Sequence, residues 1–513
     1  MIWAKGLPSS WDFETDIVVV GYGYAGGIAS IEAKDHGADV LLLEKMSKPG
    51  GISICSGGGL RTAFDAESAF SYLKETCGGM TPDAVLRAMA QGMTELPAYM
   101  EELAKINEAE IKAIPSKGNY PFPGYEDLGF CIYGRIPGFD PLTYYPHVRG
   151  LRGGARNFKV VEDNVDRRGI KILLGAPVKR LLRTPDKRVV GVLAQKNDRL
   201  LYIKARRGVI LTCGGFEADE ELKRQFFQGS VIVSAAYRGN TGDGIRMAQE
   251  VGASLWHMGN FHGSYGLRHT DPHYPFGLRL RRLPDWVPGH PIPSRSEMAW
   301  IVIDRHGRRY MNEYPPYAHD VGHRPMQYYD TEIQSYPRIP SFIIFDEEGR
   351  KLYPVVMPTF NDSEVFFEWS EDNLAEVDLG ILKKAESMKE MALDMKVEPR
   401  ILRETIEQWN GFCQQGSDND FGRPSETMVP IQIPPYYYAQ VWPVVSNTHG
   451  GPVHNEHWQV LDAFGEPIPG LYEAGELGGI FGFLYLAGGN LAECYIGGWT
   501  AARHAAQNEP WKP

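Results

Sequence analysis

A glycine-rich turn near the start of the chain has the residue types and the spacing that bind a pyrophosphate. Gly21, Gly23 and Gly26 lie between a short apolar run and a helical pattern. Gly21 permits a tight turn, Gly23 lets the backbone approach the phosphates, and Gly26 lets the helix pack closely on the strand. The phosphates then lie at the positive end of the helix dipole. Glu44 ends the next apolar run, where its carboxylate can accept hydrogen bonds from a ribose. The spacing therefore predicts dinucleotide binding.

A second cluster of glycine and serine follows Glu44. Residues 50–59 read GGISICSGGG. Backbone N–H groups that no side chain covers could hold phosphate and ring oxygens of a cofactor. An ordinary glycine–serine loop without a ligand is the alternative interpretation. The candidate cofactor residues of this loop are Gly50, Gly51, Ser53, Ser56, Gly57 and Gly58.

The elements that would position these residues alternate between strands and helices. A strand at 16–20, a helix at 28–36 and a strand at 40–43 form one βαβ unit. Later runs indicate a β-hairpin at 178–182 and 189–194, a buried strand at 206–212, a helix starting near Asp243, helices at 384–395 and 399–412, strand character at 436–445, and a glycine-rich segment at 470–504 that ends in a helix.

The composition of the chain changes at about residue 269, where proline, arginine and aromatic residues become frequent. This change, together with the order of the elements, predicts a nucleotide-binding domain in two parts. The parts are residues 1–270 and 431–513, and they flank an inserted mixed lobe at 271–430.

Composition excludes several other classes of protein. The 57 glycines, about 11% of the chain against a typical ~7%, occur in clusters without a collagen-like period. An excess of 64 acidic over 53 basic residues gives a net charge of -11, which argues against nucleic-acid binding. The six cysteines form no CxxC pair, so neither a disulfide framework nor a metal site is expected. With no apolar run of ~18 residues and no signal peptide, we expect a soluble cytoplasmic protein without a membrane span.

Seven motifs, in order over almost the full chain, resemble those of the flavoproteins grouped around fumarate reductase and 3-ketosteroid dehydrogenase. They are GYGYAG at 21–26 with Glu44-Lys45, GGISICSGG at 50–58, VILTCGGF at 209–216, GNTGDG at 239–244, GRRYMNE at 307–313, PGLYEAGE at 469–476 and AGGN at 487–490. The resemblance implies an α/β protein with non-covalent FAD in a Rossmann-like FAD-binding domain, and an inserted α+β capping (substrate) domain over the flavin. The cofactor residues indicated in addition are Tyr24, Ala25, Lys45, Val178, Cys213, Gly214, Asp243, Glu476, Asn490 and Leu491.

Three positions separate the two branches of this family. In the fumarate branch, an arginine acid comes five residues after the Asn of an Asn-Glu pair, and here that position is Tyr317. The arginine before the last glycine cluster, which binds a substrate carboxylate in that branch, is Leu486 here. The histidine of the HTMGG motif is Asn447. The chain therefore resembles the ketosteroid dehydrogenase branch, and a dicarboxylate substrate is not expected.

Resemblance to the desaturating branch implies a role for tyrosines. Tyr317 would take the α-proton of a ketone, while the Tyr485 hydroxyl and the Gly489 N–H would hold the ketone oxygen; the β-hydrogen would leave as hydride to flavin N5. A free tyrosine has a pKa of ~10, so the base needs nearby donors or positive charge to act near neutrality. A third tyrosine assists the base in this branch, and Tyr120 and Tyr125 are the candidates.

The leading hypothesis is an FAD-dependent α,β-dehydrogenation of a cyclic ketone, such as a 3-ketosteroid or a cyclohexanone-type ring. Because no haem or flavin carrier domain is visible, the electrons would pass to a separate acceptor. Two alternatives stay open. One is a fumarate-reductase-like reduction of an activated C=C bond, and the other is a flavin-binding protein without turnover.

One arginine-rich run invites a different interpretation. Arg279, Arg281 and Arg282 lie within four consecutive residues, and such a run is expected to form a solvated face of the inserted lobe. If one of these arginines faced the cleft instead, it would indicate a ring ketone that bears a carboxylate.

Overall fold

The apolar runs of the sequence become strands in four sheets. The computed structural model describes residues 7–148, 152–229, 231–357, 365 and 367–512. Within these residues the strands are β1 (Phe13–Val20), β2 (Val40–Leu43), β3 (Leu60–Ala63), β4 (Ile111–Pro115), β5 (Leu128–Tyr133), β6 (Lys171–Leu173), β7 (Val178–Arg183), β8 (Val189–Lys196), β9 (Arg199–Leu211), β10 (Val233–Ser234), β11 (Leu255–Trp256), β12 (Phe261–Arg268), β13 (Gly277–Arg279), β14 (Ile301–Ile303), β15 (Ser341–Asp346), β16 (Lys383–Ala385), β17 (Tyr436–Thr448), β18 (Gly451–Pro452), β19 (Gln459–Leu461) and β20 (Pro467–Glu473).

Helices connect and cover these sheets. Over the same described residues they are α1 (Tyr24–Asp35), α2 (Ala66–Cys77), α3 (Asp83–Ala104), α4 (Pro141–Tyr144), α5 (Gly153–Arg167), α6 (Glu220–Phe226), α7 (Asp243–Glu250), α8 (Ala318–Val321), α9 (Glu347–Leu352), α10 (Ala375–Asp378), α11 (Met388–Met395), α12 (Pro399–Gln415) and α13 (Gly489–Gln507). None of the helices found there combines the length and the apolar character needed to cross a membrane.

The first sheet forms the nucleotide-binding part. Its strands run in the order β19-β20-β9-β1-β2-β6, with β7 and β8 joined through β9. The central strand β1 pairs in parallel with both β2 and β9. Its run Ile17–Val20 is wholly buried, as expected for a parallel strand with both faces covered. Helices α1 and α13 pack together against this sheet. This arrangement confirms the predicted α/β class.

The second sheet is built mainly from antiparallel pairs. Its strands run in the order β13-β12-β17-β15-β14, with β10 and β16 paired to β17. Strands β12 and β17 both lie outside the predicted insertion at 271–430, so that interval does not coincide with the limits of this sheet. The long strand β17 pairs with four neighbours of this sheet, β10 and β12 from before residue 271 and β15 and β16 from the interval 271–430.

Most of the local predictions agree with the structure. The hairpin at 178–194 is formed by β7 and β8, the helix near Asp243 is α7, and the buried strand at 206–212 is the end of β9. The helix predicted at 384–395 begins later, at Met388. Its first residues instead form β16, because Lys383–Ala385 pair with β17, while Ser387 caps the helix by accepting the Glu390 N–H.

Candidate active site

One large cavity opens between the carboxyl ends of the first sheet and the face of the second. Its volume is about 430 Å³. The predicted site residues that line it are Gly21, Gly23, Tyr24, Ala25, Glu44, Lys45, Gly51, Ser53, Ser56, Gly57, Val178, Cys213, Gly214, Asp243, Tyr317, Glu476, Tyr485, Asn490 and Leu491. Those that do not line it are Gly26, Gly50, Gly58, Tyr120, Tyr125 and Gly489. The cavity thus joins the nucleotide cradle to the two tyrosines on which the chemistry depends.

The turn before α1 brings the backbone close to the cavity. Gly21 has a φ of +110°, a conformation that side chains rarely adopt, and a Cβ there would lie 2.3 Å from the Thr212 carbonyl oxygen. A Cβ on Gly26 would lie 1.8 Å from the Gly21 carbonyl oxygen. Gly26 does not touch the cavity but allows α1 to begin directly behind it, which leaves the helix N-terminus open to a phosphate.

Gly26→Ala is expected to destabilise the protein by about 1–3 kcal/mol through overpacking and to reduce its bound flavin. Both effects have one physical reason, because the added methyl group must push the turn at Gly21 away from the helix. Thermal unfolding and the flavin-to-protein absorbance ratio measure them. Gly411→Ala is the matched control, since a Cβ on this glycine of α12 meets no atom within 4 Å and adds helix propensity. Equal flavin content in both variants would contradict the prediction.

The acid at the end of β2 is held in place by the backbone. The two carboxylate oxygens of Glu44 accept hydrogen bonds from the N–H groups of Tyr22 and Met46, each at 2.8 Å. Burial raises the pKa of the Glu44 carboxyl, and these hydrogen bonds with the charge of Lys45 partly offset it. Lys45 itself forms an ion pair with Asp243 at the start of α7, with 2.7 Å between Nζ and Oδ2. This pair closes the cavity on the side of Glu44.

Some residues of the glycine–serine loop at 50–59 line the cavity, and others support that lining from behind. The Oγ atom of Ser53 accepts the Tyr24 N–H at 3.3 Å, so the loop is tied to the start of α1. Gly50 and Gly58 have φ values of +109° and +74° and shape the loop from behind. A Cβ on Gly58 would lie 2.3 Å from the Gly153 carbonyl carbon. These two glycines therefore support the wall of the cavity rather than form it.

The C-terminal motifs supply buried polar groups to the cavity. Glu476 accepts hydrogen bonds from the Thr448 N–H at 3.0 Å and the Asn240 amide at 3.3 Å. Burial raises the pKa of Glu476 well above its usual range, and the neighbouring carboxylate of Glu217 raises it further. The side-chain oxygen of Asn490 is buried and has no hydrogen-bond partner among the described residues. A buried acceptor without a partner at a cavity wall fits the polar edge of a bound flavin.

The two predicted catalytic tyrosines meet at the other end of the cavity. Tyr317 precedes α8 and Tyr485 precedes α13, and both are almost fully buried. The ring of His262, on β12, lies between them, 4.4 Å from the Tyr485 ring and 6.2 Å from the Tyr317 ring. Burial raises the pKa of both tyrosines above the usual range. Both hydroxyls are therefore protonated at neutral pH.

A buried carboxylate joins the tyrosines to a third one. The Oδ2 atom of Asp320, on α8, accepts the hydroxyl of Tyr120 at 2.8 Å and the backbone N–H of Tyr485 at 3.1 Å. The Tyr120 ring packs edge-on against Tyr317 at 6.1 Å. Tyr125 lies elsewhere, with its ring against the ammonium group of Lys117. Of the two candidates for the third tyrosine, the structure brings Tyr120 to the site and leaves Tyr125 outside it.

Asp320→Asn is expected to remove the contribution that the Asp320 carboxyl makes to the pH dependence of the free energy of unfolding. Burial raises the pKa of the Asp320 carboxyl to about 6, and the charge of Arg324 with two hydrogen bonds partly offsets this effect. The folded protein then keeps a proton that the unfolded chain, with an aspartate pKa of ~3.9, has already lost. As the pH rises from about 4 to about 6, wild-type stability should fall relative to the variant by up to about 1.4 kcal/mol per pH unit. Denaturant unfolding of both proteins measures the difference, and a constant difference would refute the prediction.

The predicted role of the Gly489 N–H needs a correction. Gly489 is the first residue of α13, and its N–H donates to the Leu486 carbonyl at 2.7 Å instead of pointing into the cavity. Its neighbour Gly488 lines the cavity and has a φ of +76°. Backbone groups of Gly488 and Asn490 lie near the Tyr485 hydroxyl and partly offset the effect of burial on its pKa. The Gly489 N–H is not free to bind a ketone oxygen, because the turn before α13 is closed by this hydrogen bond to the Leu486 carbonyl.

The interpretation of the arginine run as a solvated face is wrong for Arg279, which is half-buried at the cavity, whereas Arg282 lines the cavity with a side chain that is still 51% exposed. Arg279, at the end of β13, and Arg282 both line the cavity, as do His262 and His319. Arg281 is exposed and stacks on the ring of Tyr353. The residue types in the run do not indicate which arginines line the cavity and which one lies outside it. This division arises because β13 pairs with β12, which turns one side of the segment towards the tyrosines.

The fold and the site together define a class of flavin-dependent oxidoreductase. The family model of the FAD binding domain matches residues 16–491, and the chain therefore belongs to the FAD_binding_2 family. FAD is its cofactor and the chain is an FAD-dependent oxidoreductase, as predicted. The cradle at α1, the held carboxylate of Glu44 and the unpaired oxygen of Asn490 are the residues that fit this cofactor.

Known proteins of several activities are similar to the chain. Digoxin reductase from Eggerthella lenta is 26% identical over 98% of this chain and 89% of its own length. The 3-oxosteroid 1-dehydrogenase of Mycobacterium tuberculosis is 25% identical over 96% of this chain and 98% of its own. The crystal structure of 3-ketosteroid Δ1-dehydrogenase from Sterolibacterium denitrificans, in complex with 1,4-androstadiene-3,17-dione, superposes with a TM-score of 0.79 at 23% identity over 96% of this chain and 99% of that one. The last comparison shows a shared fold.

Proposed function

We propose that the protein introduces a C=C bond beside the carbonyl group of a cyclic ketone. The observation that carries this proposal is the position of Tyr317 and Tyr485 on one cavity with the FAD cradle. The relatives include a 3-oxosteroid 1-dehydrogenase, and a 3-ketosteroid or a cyclohexanone-type ring is the proposed substrate. The similar proteins are enzymes, which favours catalysis over the alternative of a flavin-binding protein without turnover.

Each tyrosine has a separate part in this reaction. The protonated hydroxyl of Tyr485 donates a hydrogen bond to the ketone oxygen, and polarising that carbonyl acidifies the adjacent C–H bond. The Tyr317 oxygen takes the α-proton, and the positive charge of Arg282 favours its ionised form. FAD bound in the cradle would supply the acceptor for the β-hydrogen, which leaves the ring as a hydride. The ring then contains one C=C bond, the enzyme holds two electrons, and a separate acceptor removes them.

Anaerobic mixing tests the proposed function directly. Oxidised enzyme mixed with a saturated ring ketone should form the enone and lose its flavin absorbance, and an artificial electron acceptor should then restore that absorbance. The corresponding saturated ring without a ketone is the control, because it has no oxygen for Tyr485 to polarise. Persistence of the flavin absorbance with every ring ketone tested would reject the proposal.

A second candidate function is the reduction of an activated C=C bond. One observation favours it: burial keeps Tyr317 protonated, and a phenol can donate a proton as well as receive one. Several of the similar proteins are reductases by name, among them digoxin reductase and the probable fumarate reductase Ifc3 of Shewanella frigidimarina. Chemically reduced enzyme would then be reoxidised by an enoate and not by an enone. The same experiment with a cyclic enone distinguishes the two candidates.

Non-covalent attachment of the FAD is also part of the proposal. Acid precipitation should leave the flavin in the supernatant, whereas a covalent bond would retain it in the pellet. The cytoplasmic location and the separate electron acceptor that the sequence indicates stay predictions.

A further inference from the structure

One cation in the cavity has no counter-ion among the residues that the structure describes. The guanidinium group of Arg279 lines the cavity wall, yet no hydrogen bond or ion pair joins its side chain to any residue that the structure describes. Its neighbour Arg282 differs, because it forms an ion pair with Asp285 at 2.7 Å between Nη2 and Oδ2. Within the described part of the chain, Asp285 therefore balances the charge of Arg282, and no carboxylate balances the charge of Arg279.

The other ionisable groups described at this end of the cavity do not compensate the charge of Arg279. Asp285 is shared between Arg282 and His319, whose Nε2 lies 3.6 Å from Oδ1. Asp320 accepts from Tyr120 and from the backbone beside Tyr485. His319 and His262 are neutral, since burial and the nearby arginines lower the pKa of both well below the usual range.

The position of Arg279 separates it from the phosphates of the cofactor. Arg279 pairs across the sheet with Gly266 of β12, the strand whose His262 contacts the ring of Tyr485. The phosphate cradle belongs to the other sheet, at the start of α1. The free cation therefore faces the tyrosine end of the cavity.

A cation that is partly removed from water and has no partner is costly unless a ligand supplies the opposite charge. Removal from water penalises the charged form, and an anion at hydrogen-bond distance offsets that penalty. Burial and repulsion by Arg282 lower the pKa of Arg279 to about 10, so the group is still charged at neutral pH. Guanidinium binds a carboxylate with two parallel hydrogen bonds, which favours a carboxylate as the ligand.

We propose that the substrate is a ring ketone that carries one carboxylate, bound by Arg279 while Tyr485 holds the ketone oxygen. This inference rests on the proposed function and narrows its substrate class. A single carboxylate fits, because Lys45 and Arg282 already pair with carboxylates and only Arg279, among the described cations that line the cavity, lacks a counter-ion. The carboxylate lies on the ring or on a side chain away from the ketone, since the tyrosines occupy the ketone end.

The test compares an acid with its neutral methyl ester. Two pairs serve as probes: 4-oxocyclohexanecarboxylate with its methyl ester, and a 3-oxosteroid that bears a carboxylated side chain with its methyl ester. For the acid–ester pair whose ring the enzyme accepts, wild-type kcat/KM should be higher for the acid by on the order of 100-fold. Arg279→Met should bring the ratio of acid to ester close to one, chiefly through KM, and Arg279→Lys should restore part of the preference. Arg281→Met should keep the wild-type ratio, because that exposed neighbour does not line the cavity.

The possible outcomes separate this inference from the proposed function. Turnover of acids and esters at equal rates, or a preference that Arg279→Met leaves intact, overturns the role of Arg279 but retains ring-ketone dehydrogenation. Loss of FAD or an altered flavin spectrum in Arg279→Met assigns the arginine to the cofactor and also overturns the inference. If no ketone bleaches the flavin and an enoate reoxidises the reduced enzyme, the proposed function fails, and the ring-ketone assignment fails with it.

Discussion

Replacing Tyr317 with phenylalanine is expected to lower kcat for ring-ketone dehydrogenation by ~10²–10⁴-fold, the range for loss of a general acid or base. The substitution removes one oxygen atom from a buried ring and keeps its packing against Tyr120 and His262. Binding of FAD and thermal stability should therefore change little. Anaerobic flavin reduction under single-turnover conditions measures the effect, because it isolates the C–H cleavage from reoxidation.

The pH profile gives this prediction a second readout. Burial raises the pKa of Tyr317 above the usual range, so only a small fraction of the residue is phenolate at neutral pH. The rate of flavin reduction by the wild-type protein should rise with pH through the alkaline range, and Tyr317→Phe should abolish this rise. Tyr310→Phe is the matched control, because the Tyr310 hydroxyl contacts Ser341 at 2.7 Å, away from the cavity. A Tyr317→Phe variant with wild-type kcat would exclude Tyr317 as the base.

Tyr485→Phe is the second substitution with a large expected effect. Loss of the hydroxyl should lower kcat by ~10²–10³-fold, as removal of one oxyanion donor does. The donor matters more here because the Gly489 N–H is already bonded to the Leu486 carbonyl. Tyr485 keeps its proton at neutral pH because burial raises its pKa, so the hydroxyl is a donor throughout the working range.

Two measurements distinguish a donor from a purely structural tyrosine. Tyr485→Phe should weaken the binding of a planar enol mimic, such as a phenol, more than that of the saturated ketone, because the developing negative charge strengthens the hydrogen bond. Tyr472→Phe is the control, since its hydroxyl contacts His504 at 2.8 Å outside the cavity. Equal losses for both ligands would indicate a packing role for Tyr485.

Local patterns along the chain were enough to predict the cofactor end of the molecule. The turn from Gly21 to Gly26, the acid at Glu44 and the loop at 50–58 lie close together in sequence, and one βαβ unit brings them together. A short-range arrangement of this kind is set by backbone conformation, because only glycine permits the positive φ at Gly21 and the close contact behind Gly26. These neighbouring residues predict dinucleotide binding, and the resemblance carried by the seven short motifs implies the FAD cofactor and the oxidoreductase class.

Contacts between distant segments determine which side chains lie together at the tyrosine end of the cavity. Tyr120, Asp320 and Tyr485 form one hydrogen-bonded group although more than 150 positions separate each from the next. The sequence left Tyr120 and Tyr125 as equal candidates, since no local pattern distinguishes them. It also placed Arg279 on the surface, because a run of arginines is usually solvated.

The chain by itself thus determined the cofactor, through residues whose roles depend on their immediate neighbours. Only the tertiary structure decided which tyrosine, arginine and histidine side chains share the cavity with it. The physical reason is the pairing of β13 with β12 and of β12 with β17, which turns Arg279 and His262 towards the tyrosines. Strand pairing over such separations depends on packing of the whole sheet, and residue types at single positions do not encode it.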